Sequence, residues 1–571
     1  MLNNNDNKEE KKEEKEKKVY RTYQHVIKKG HPLTLYFQEM MKSSNNLYNA
    51  TNFHIRQVYS GLTRDESKPI HPLQQEVLGG LREAIPLINQ HLQEKHSRLV
   101  AEDLCKQEIA LSVDPKAEMK KRKLNQYDMP TPTKSFIGYN LLDAYFKHSQ
   151  NVDYNSLPGQ VNQQVMKNCY ANWKGYFESL KDYKVAASKY TGRPKPPKYK
   201  PSGSMSGISF SNQICTIKKE KDGKQYLRFP KTNLTFNLSK HLTGKVAEQN
   251  MKLQQVRVMK WYDDVMLEIV LDCTKELIPL IPEKDIKNVM AIDLGVNNLA
   301  ACVSNNGMQP FIINGKPLKS MNQYYNKRRS RIMADLRVGK QSNEGIYQSK
   351  RSKALDRKRS LKVKDYLHKA TALIVNQVVE NDIHKVIIGY NSSWKKDVEM
   401  RKKDKQTFIQ IPFTMFINML EYKLNALGIH MATHEESYTS QASFLDKDKI
   451  PTYGDKKIKP FSGKRIKRGL YRSKEGIVIN ADINGAANIL RKHWHKRVNI
   501  SHKLLSVVKV VNIKHARKPN SKKKGTKKET SLKEVIFTVH KKLVTPRKGI
   551  ASRTANCVAG QITLWDTLGL A

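Results

Sequence analysis

Acidic side chains stand at three separated places in the second half of the chain. Asp293 closes the apolar run VMAI, Glu435 and Glu436 follow IHMATH, and Asp482 opens ADINGAANIL. Carboxylates at strand ends and at a helix start can converge on one edge of a sheet. There they can hold two divalent cations about 4 Å apart for in-line attack on a phosphodiester. Magnesium suits such a site, because it takes oxygen ligands and keeps waters and substrate phosphate around it. Taken singly, Asp293 at a strand end and Asp482 at a helix start also have plain capping readings. In a strongly basic chain, however, clustered acids facing a phosphate would repel it unless they held metal.

The surrounding pattern is an α/β order that can bring these positions together. VMAI is continuously apolar, as in a strand covered on both faces. LAACVS, the turn Asn305-Asn306-Gly307 and MQPFII read as a hairpin. Basic helical stretches follow over 318–340 and 347–380, the second with Leu367, Ala370, Ile374 and Val378 on one face. KVIIGY, 385–390, is a further short strand. Phe413, Phe416, Leu420, Leu424 and Leu427 mark an amphipathic helix stopped at Gly428, and IHMATHE another strand. Ile483, Ala487 and Leu490 share one side of the last helix.

Upstream, residues 208–272 alternate in short β-type runs that fit a small barrel. Before them, Val161, Val165, Cys169, Trp173, Phe177 and Leu180 recur at helical spacing after Pro158, which suits a first turn. Residues 82–146 read as charged helix and 20–81 as short apolar runs. The segment GRPKPPKYK points to an extended strand with Arg193, Lys195, Lys198, Tyr199 and Lys200 against phosphates, or else to an exposed linker.

Composition supplies the partner class. Lysine and arginine total 103 against 53 acids over 571 residues, a net charge of +50, and this surplus asks for a polyanion, by default nucleic acid. With 38% hydrophobic residues and charge spread along its length, the chain can still bury cores. Its six cysteines form no CxxC pair, which gives neither a disulfide framework nor a zinc knuckle. The first 18 residues lack an apolar core, and no run approaches a membrane span, so the expected location is the cytosol or the nucleoid. Cationic clusters at Lys327-Arg328-Arg329, Trp394-Lys395-Lys396 and Arg465, Lys467 and Arg468 are candidate nucleic-acid contacts, with solvated basic surface as the plainer reading.

AIDLGVNNLA, YTSQASFLD and ADINGAANIL resemble, in order, the RuvC-like nuclease signatures of TnpB. TnpB is the RNA-guided nuclease of bacterial insertion sequences, related to type V CRISPR effectors and Fanzor proteins. LYNATNFHIRQ, LPGQVNQQVMKNCYANWKGYFESL and RPKPPKYK extend the resemblance upstream, so that it covers most of residues 20–497. It implies an RuvC-like, RNase H-like nuclease domain preceded by a β-barrel wedge domain with a helical recognition insert. Asp293 matches the first catalytic aspartate and Asp482 the last. Where the family carries its middle glutamate, KVIIGYNSSW has Gly389, which cannot bind metal. Some members use a glutamate just before the YTS motif. Glu436, two residues before Tyr438, fits that pattern, with Glu435 as the fallback. Neighbouring strand residues face opposite ways, so one of the pair should reach the metal. The family's four-cysteine zinc ribbon is replaced at its positions by Ser443, Asp446, Arg472 and Glu475, which implies no structural zinc.

The expected organisation is a charged tail over 1–18 and a wedge barrel over 19–285 carrying a helical insert at about 35–185. The nuclease domain spans 286–436 and 477–497, a target-binding insert 437–476, and a basic extension 498–571. The implied activity is RNA-guided cleavage of target DNA by a monomer using magnesium, or manganese in its place, with a structured guide RNA. The alternatives are a compact type V effector, a nuclease-dead guided repressor, for which Gly389 speaks, and a strand-joining transposase.

Overall fold

The computed structural model describes residues 19–65, 67–113, 122–219, 224–238, 252–274, 278–390, 406, 409–452, 460–494 and 498–513. Trp394, Lys395 and Lys396 lie outside the described residues, as do the 1–18 tail and everything after residue 513. The chain divides into two units, one of residues 20–238 and 252–272, the other holding the remainder. Among the described residues no helix is long and apolar enough to cross a membrane.

The first unit opens with β1 (Tyr20–Ile27) and the helices α1 (Pro32–Leu62), α2 (Pro72–Val113), α3 (Tyr139–His148), α4 (Val152–Asn155) and α5 (Gly159–Val185). The α5 stripe is as its spacing predicts, with Val161, Val165, Cys169 and Trp173 buried, but Pro158 is the N-cap and the helix starts at Gly159. α1 escapes a periodicity reading because its buried face includes Ser44, Asn45, Thr51 and Asn52. The strands that follow are β2 (Ile208–Ser211), β3 (Thr216–Lys219), β4 (Gln225–Arg228), β5 (Thr235–Asn237), β6 (Lys252–Trp261) and β7 (Asp264–Asp272). They make two separate sheets, β1-β7-β6-β2 and β3-β4-β5. Aromatic pairs join the sheets: Phe210 with Phe229 at 5.5 Å and His25 with Phe236 at 5.4 Å between ring centres.

The second unit is built on a six-stranded sheet. Its strands are β8 (Val289–Leu294), β9 (Asn298–Ser304), β10 (Phe311–Asn314), β11 (Lys385–Gly389), β12 (His430–His434) and β16 (Lys509–Val511), in the order β12-β11-β8-β9-β10-β16. β8, β9 and β10 form an antiparallel meander, whereas β11 runs parallel to β8 and β12 parallel to β11. A meander followed by two parallel strands on its first edge is the RNase H-like arrangement, and the fold is α/β. Between β10 and β11 lie α6 (Lys316–Leu336) and α7 (Lys350–Glu380). α8 (Phe413–Asn425) leads into β12, and α9 (Ala481–His493) follows the insert strands β13 (Lys464–Lys467), β14 (Leu470–Arg472) and β15 (Val478–Asn480). The extension beyond 497, to which periodicity assigns no fold, contributes α10 (His502–Ser506) and the edge strand β16, parallel to β10.

Both faces of this sheet are covered, which explains the unbroken apolar run of β8. Met290, Ile292 and Leu294 pack with α7 and α8, while Val289 and Ala291 pack with α9. The two-residue period of the strand therefore carries Asp293 to the α9 face.

Candidate active site

β11 repeats the division of β8. Val386 and Ile388 enter the α7 and α8 core, and Ile387 enters the α9 core. Ile388 pairs with Ile292, so Gly389 is the next position beside Asp293, on the same face. Gly389 also pairs with His434, the last residue of β12. Two residues further on, Glu436 returns to that face. A methyl group built on Gly389 would stand 2.8 Å from Glu436 Oε2 and would collide with Ile489 Cδ1 of α9. The Glu436 carboxylate thus fills the space that a side chain on Gly389 would need.

Glu435 is committed elsewhere. Its Oε2 lies 2.9 Å from Lys492 Nζ, and its Oε1 accepts from Ser437 N at 2.7 Å. His493 stacks on His434 with 4.4 Å between ring centres and bonds the Glu435 carbonyl at 2.7 Å. Both glutamates lie past the end of β12, in the turn that α9 pins.

On α9 the cap is Asn480, whose side chain accepts from Asp482 N and Ile483 N. The capping role is therefore taken, and the Asp482 carboxylate is left to turn toward the site. Asn298 Nδ2 donates to Asp482 Oδ2 at 2.5 Å, and Arg465 Nη2 of the insert stands 3.6 Å from Oδ1. α9 passes so close to β8 that a methyl group on Gly485 would lie 2.6 Å from Asp293 Oδ2. Glycine inside a helix costs roughly 0.5–1 kcal/mol relative to alanine, and this close approach is what requires it. Burial, followed by the neighbouring Glu436 and Asp482 carboxylates, raises the Asp293 carboxyl well above the ordinary carboxylate range, while Arg465 acts in the opposite direction. Among the described residues no three acidic, histidine or cysteine side chains form a ready ligand cage, and Asp482 is engaged instead with Asn298 and Arg465.

The insert carries its own ties. Asn297, with its amide oxygen facing the insert, accepts from Arg468 Nη2 and Nε at 3.0 and 3.1 Å. At the ribbon positions, Ser443 Oγ accepts from Asp446 N at 3.2 Å and Asp446 Oδ2 accepts from Lys474 N at 2.9 Å. Asp448 accepts from Ser443 N at 2.8 Å and from Ser462 N at 3.0 Å. This donor set does not fit zinc, which asks for thiolate or imidazole, and two of the four side chains already serve backbone amides.

Of the other cations, Lys327, Arg329, Lys467 and Arg468 are exposed and Arg328 is half-buried. In GRPKPPKYK, Arg193, Lys195, Lys198 and Tyr199 are also exposed. Lys200 is half-buried, its Nζ 3.8 Å from the centre of the Tyr48 ring and 2.8 Å from Ser206 Oγ, and burial lowers its pKa. It serves packing more than solvent. The residues that periodicity alone does not single out are Asn298, Gly485 and Lys492. Asn298 and Gly485 lie within the quoted motifs, but motif spacing assigns them no role.

Two families match the second unit and its edge. Residues 268–395 match OrfB_IS605, described as "Probable transposase", and residues 413–489 match the Cas12f1-like TNB domain. Over those residues the chain is similar to these two families. Solved structures similar to this chain include a Cas12f1–sgRNA–target DNA complex, at 15% identity and a TM-score of 0.40, covering 83% of this chain and 98% of that one. Another is Alicyclobacillus acidoterrestris C2c1 with single-guide RNA, at 10% identity and 0.36, covering 83% and 88%. A third is the mini-RNA-guided endonuclease CRISPR-Cas_phi3, at 9% and 0.31, covering 83% and 92%. No curated protein matches the chain.

Proposed function

We propose that this chain is an RNA-guided DNA endonuclease, acting as a monomer, that cuts phosphodiester bonds at one magnesium-dependent site formed by Asp293, Glu436 and Asp482. The observation that carries the reading is the Glu436 carboxylate filling the space over Gly389, beside Asp293 and across from the start of α9. The donors are all carboxylate oxygens, which suits magnesium or manganese. A bound divalent cation would polarise the phosphoryl group and supply a hydroxide-like nucleophile at neutral pH. The protein's part is to hold its carboxylates and the strand. Asn298 steers Asp482, the Lys492 pair keeps Glu435 away from Glu436, and Arg465 is a half-exposed cation placed to meet a phosphate oxygen.

Guide and target would be held through backbone charge, with Lys327 and Arg329 on α6 and Lys467 and Arg468 on the insert as exposed contacts. Transposon association and a compact type V effector share this chemistry. A nuclease-dead repressor has Gly389 in its favour, but that reading leaves the carboxylate brought to Gly389 without a use.

The test is cleavage with guide RNA, matched DNA and magnesium. Asp293→Ala, Glu436→Ala and Asp482→Ala should each lower cutting by about a hundredfold or more, since a metal site supplies several kcal/mol to the transition state, while guided binding persists. Glu435→Ala should keep substantial activity. An essential Glu435 with a dispensable Glu436 would refute the assignment.

A further inference from the structure

The strap Pro194–Pro201 is held by its backbone rather than by its cations. Asn52 Nδ2 and Arg56 Nη2 donate to Pro197 O at 3.1 and 2.6 Å, and Asn49 exchanges two bonds with Lys200, at 2.8 and 2.9 Å. Asn45 Nδ2 donates to Pro201 O at 3.1 Å. Asn45, Asn49, Asn52 and Arg56 recur at the helical spacing of α1, so one face of that helix reads the strap end to end. The polar residues that hide α1 from a periodicity reading thus have a purpose. With the backbone clamped, Lys195 and Lys198 remain exposed.

Between this strap and α5 lies an open groove of about 430 Å³, lined by Asn172, Gly175, Tyr176, Ser179, Lys195 and Lys198. That size falls in the range of ligand sites, about 300–1,000 Å³. Its chemistry is mixed, with the ammonium groups of Lys195 and Lys198, the half-buried ring of Tyr176, the exposed amide of Asn172 and the hydroxyl of Ser179 among its lining. Asn172 is positioned by donating to Tyr48 Oη at 2.8 Å. Gly175 sits mid-helix with nothing within 4 Å of the position its Cβ would take, so the groove floor is open there.

We propose that this groove seats one nucleotide of a single-stranded stretch of nucleic acid, its phosphate at Lys195 and Lys198, its base on Tyr176 and its polar edge toward Asn172 and Ser179. Phosphate neutralisation and stacking on a ring are the two general terms of single-strand binding, and the groove offers both. The inference rests on the nucleic-acid reading above and adds a specific seat that neither the carboxylate site nor the charge balance requires.

The test is photocrosslinking of the full-length protein with a 5-iodouridine oligoribonucleotide and, separately, a 5-iododeoxyuridine oligodeoxyribonucleotide, with adducts mapped by mass spectrometry. An adduct on Tyr176 is expected from at least one, and whichever gives it identifies the strand served. Gly175→Trp, which fills the open floor, should lower that adduct by about tenfold or more, and Gly175→Ala should preserve it. Matching melting temperatures for the two variants would show that the plug leaves the fold intact. Retained oligonucleotide with adducts elsewhere and none on Tyr176 would overturn the groove alone, as would a Tyr176 adduct unchanged in Gly175→Trp. No retained oligonucleotide of either kind would overturn the nucleic-acid reading and the groove with it.

Discussion

At the scale of single residues, the site is an exchange between two positions. Glycine at 389 removes a side chain from the strand beside Asp293, and Glu436, arriving from the turn after β12, brings its carboxylate to that space. Only one of the two side chains can be present. Gly389→Ala should therefore push Glu436 aside and press on Ile489, lowering magnesium-dependent cleavage by about tenfold or more while guided DNA binding stays near wild type. Measuring both on the same preparation checks this, and full activity in Gly389→Ala would show that Glu436 does not need the space. Asp293 and Asp482 were legible from the sequence because a strand end and a helix start are marked by hydrophobic pattern. The choice between Glu435 and Glu436 was not. Strand alternation stops at His434, and what separates the two is a tertiary contact, Lys492 of α9 on Glu435. For the same reason the half-burial of Lys200 on Tyr48 is not legible, since it leaves no trace in local composition.

At the scale of elements, periodicity found β8 to β12 and the apolar helices, and it missed β1, β16 and the short insert strands, as well as α1, whose buried face is polar. The same physics makes one interior cation informative. Lys423 of α8 is buried in the second unit, donating to Thr371 Oγ1 at 2.7 Å and His368 O at 3.0 Å of α7, and burial lowers its pKa to about 7. Unfolding returns it to about 10.4, so between those values the unfolded chain binds the extra proton and wild-type stability gains as pH rises. Urea midpoints of wild type and Lys423→Met from pH 7 to 10 should show wild type improving steadily against the variant. A constant gap would mean that Lys423 is not neutralised in the fold. The insert poses a different question, because where the resemblance leads one to expect a metal tie, Asp446 accepts from Lys474 N. Purified protein should hold no stoichiometric zinc, and Asp446→Ala should lower stability by only about 0.5–1.5 kcal/mol, since the Lys474 amide is exposed and water can take the place of the bond. One tightly bound zinc per chain in metal analysis would contradict this.

At the scale of the whole molecule, the net charge of +50 and the carboxylate site point the same way. A chain this basic will bind polyanions without selectivity unless a structured RNA occupies much of its surface, and base pairing is then what selects the DNA. The sequence points to a polyanion through composition and to the proposed nuclease through three ordered motifs. The arrangement of the basic surfaces was less legible, because a charged helix face reads alike whether it meets water or a phosphate backbone. The most direct measurement is to purify the protein with its bound RNA, sequence that RNA, and supply magnesium with DNA that either matches or does not match its variable end. The proposal predicts one discrete RNA species and cutting confined to the matched DNA. A random mixture of cellular RNA, or matched DNA that is bound but never cut in magnesium or manganese, would contradict it.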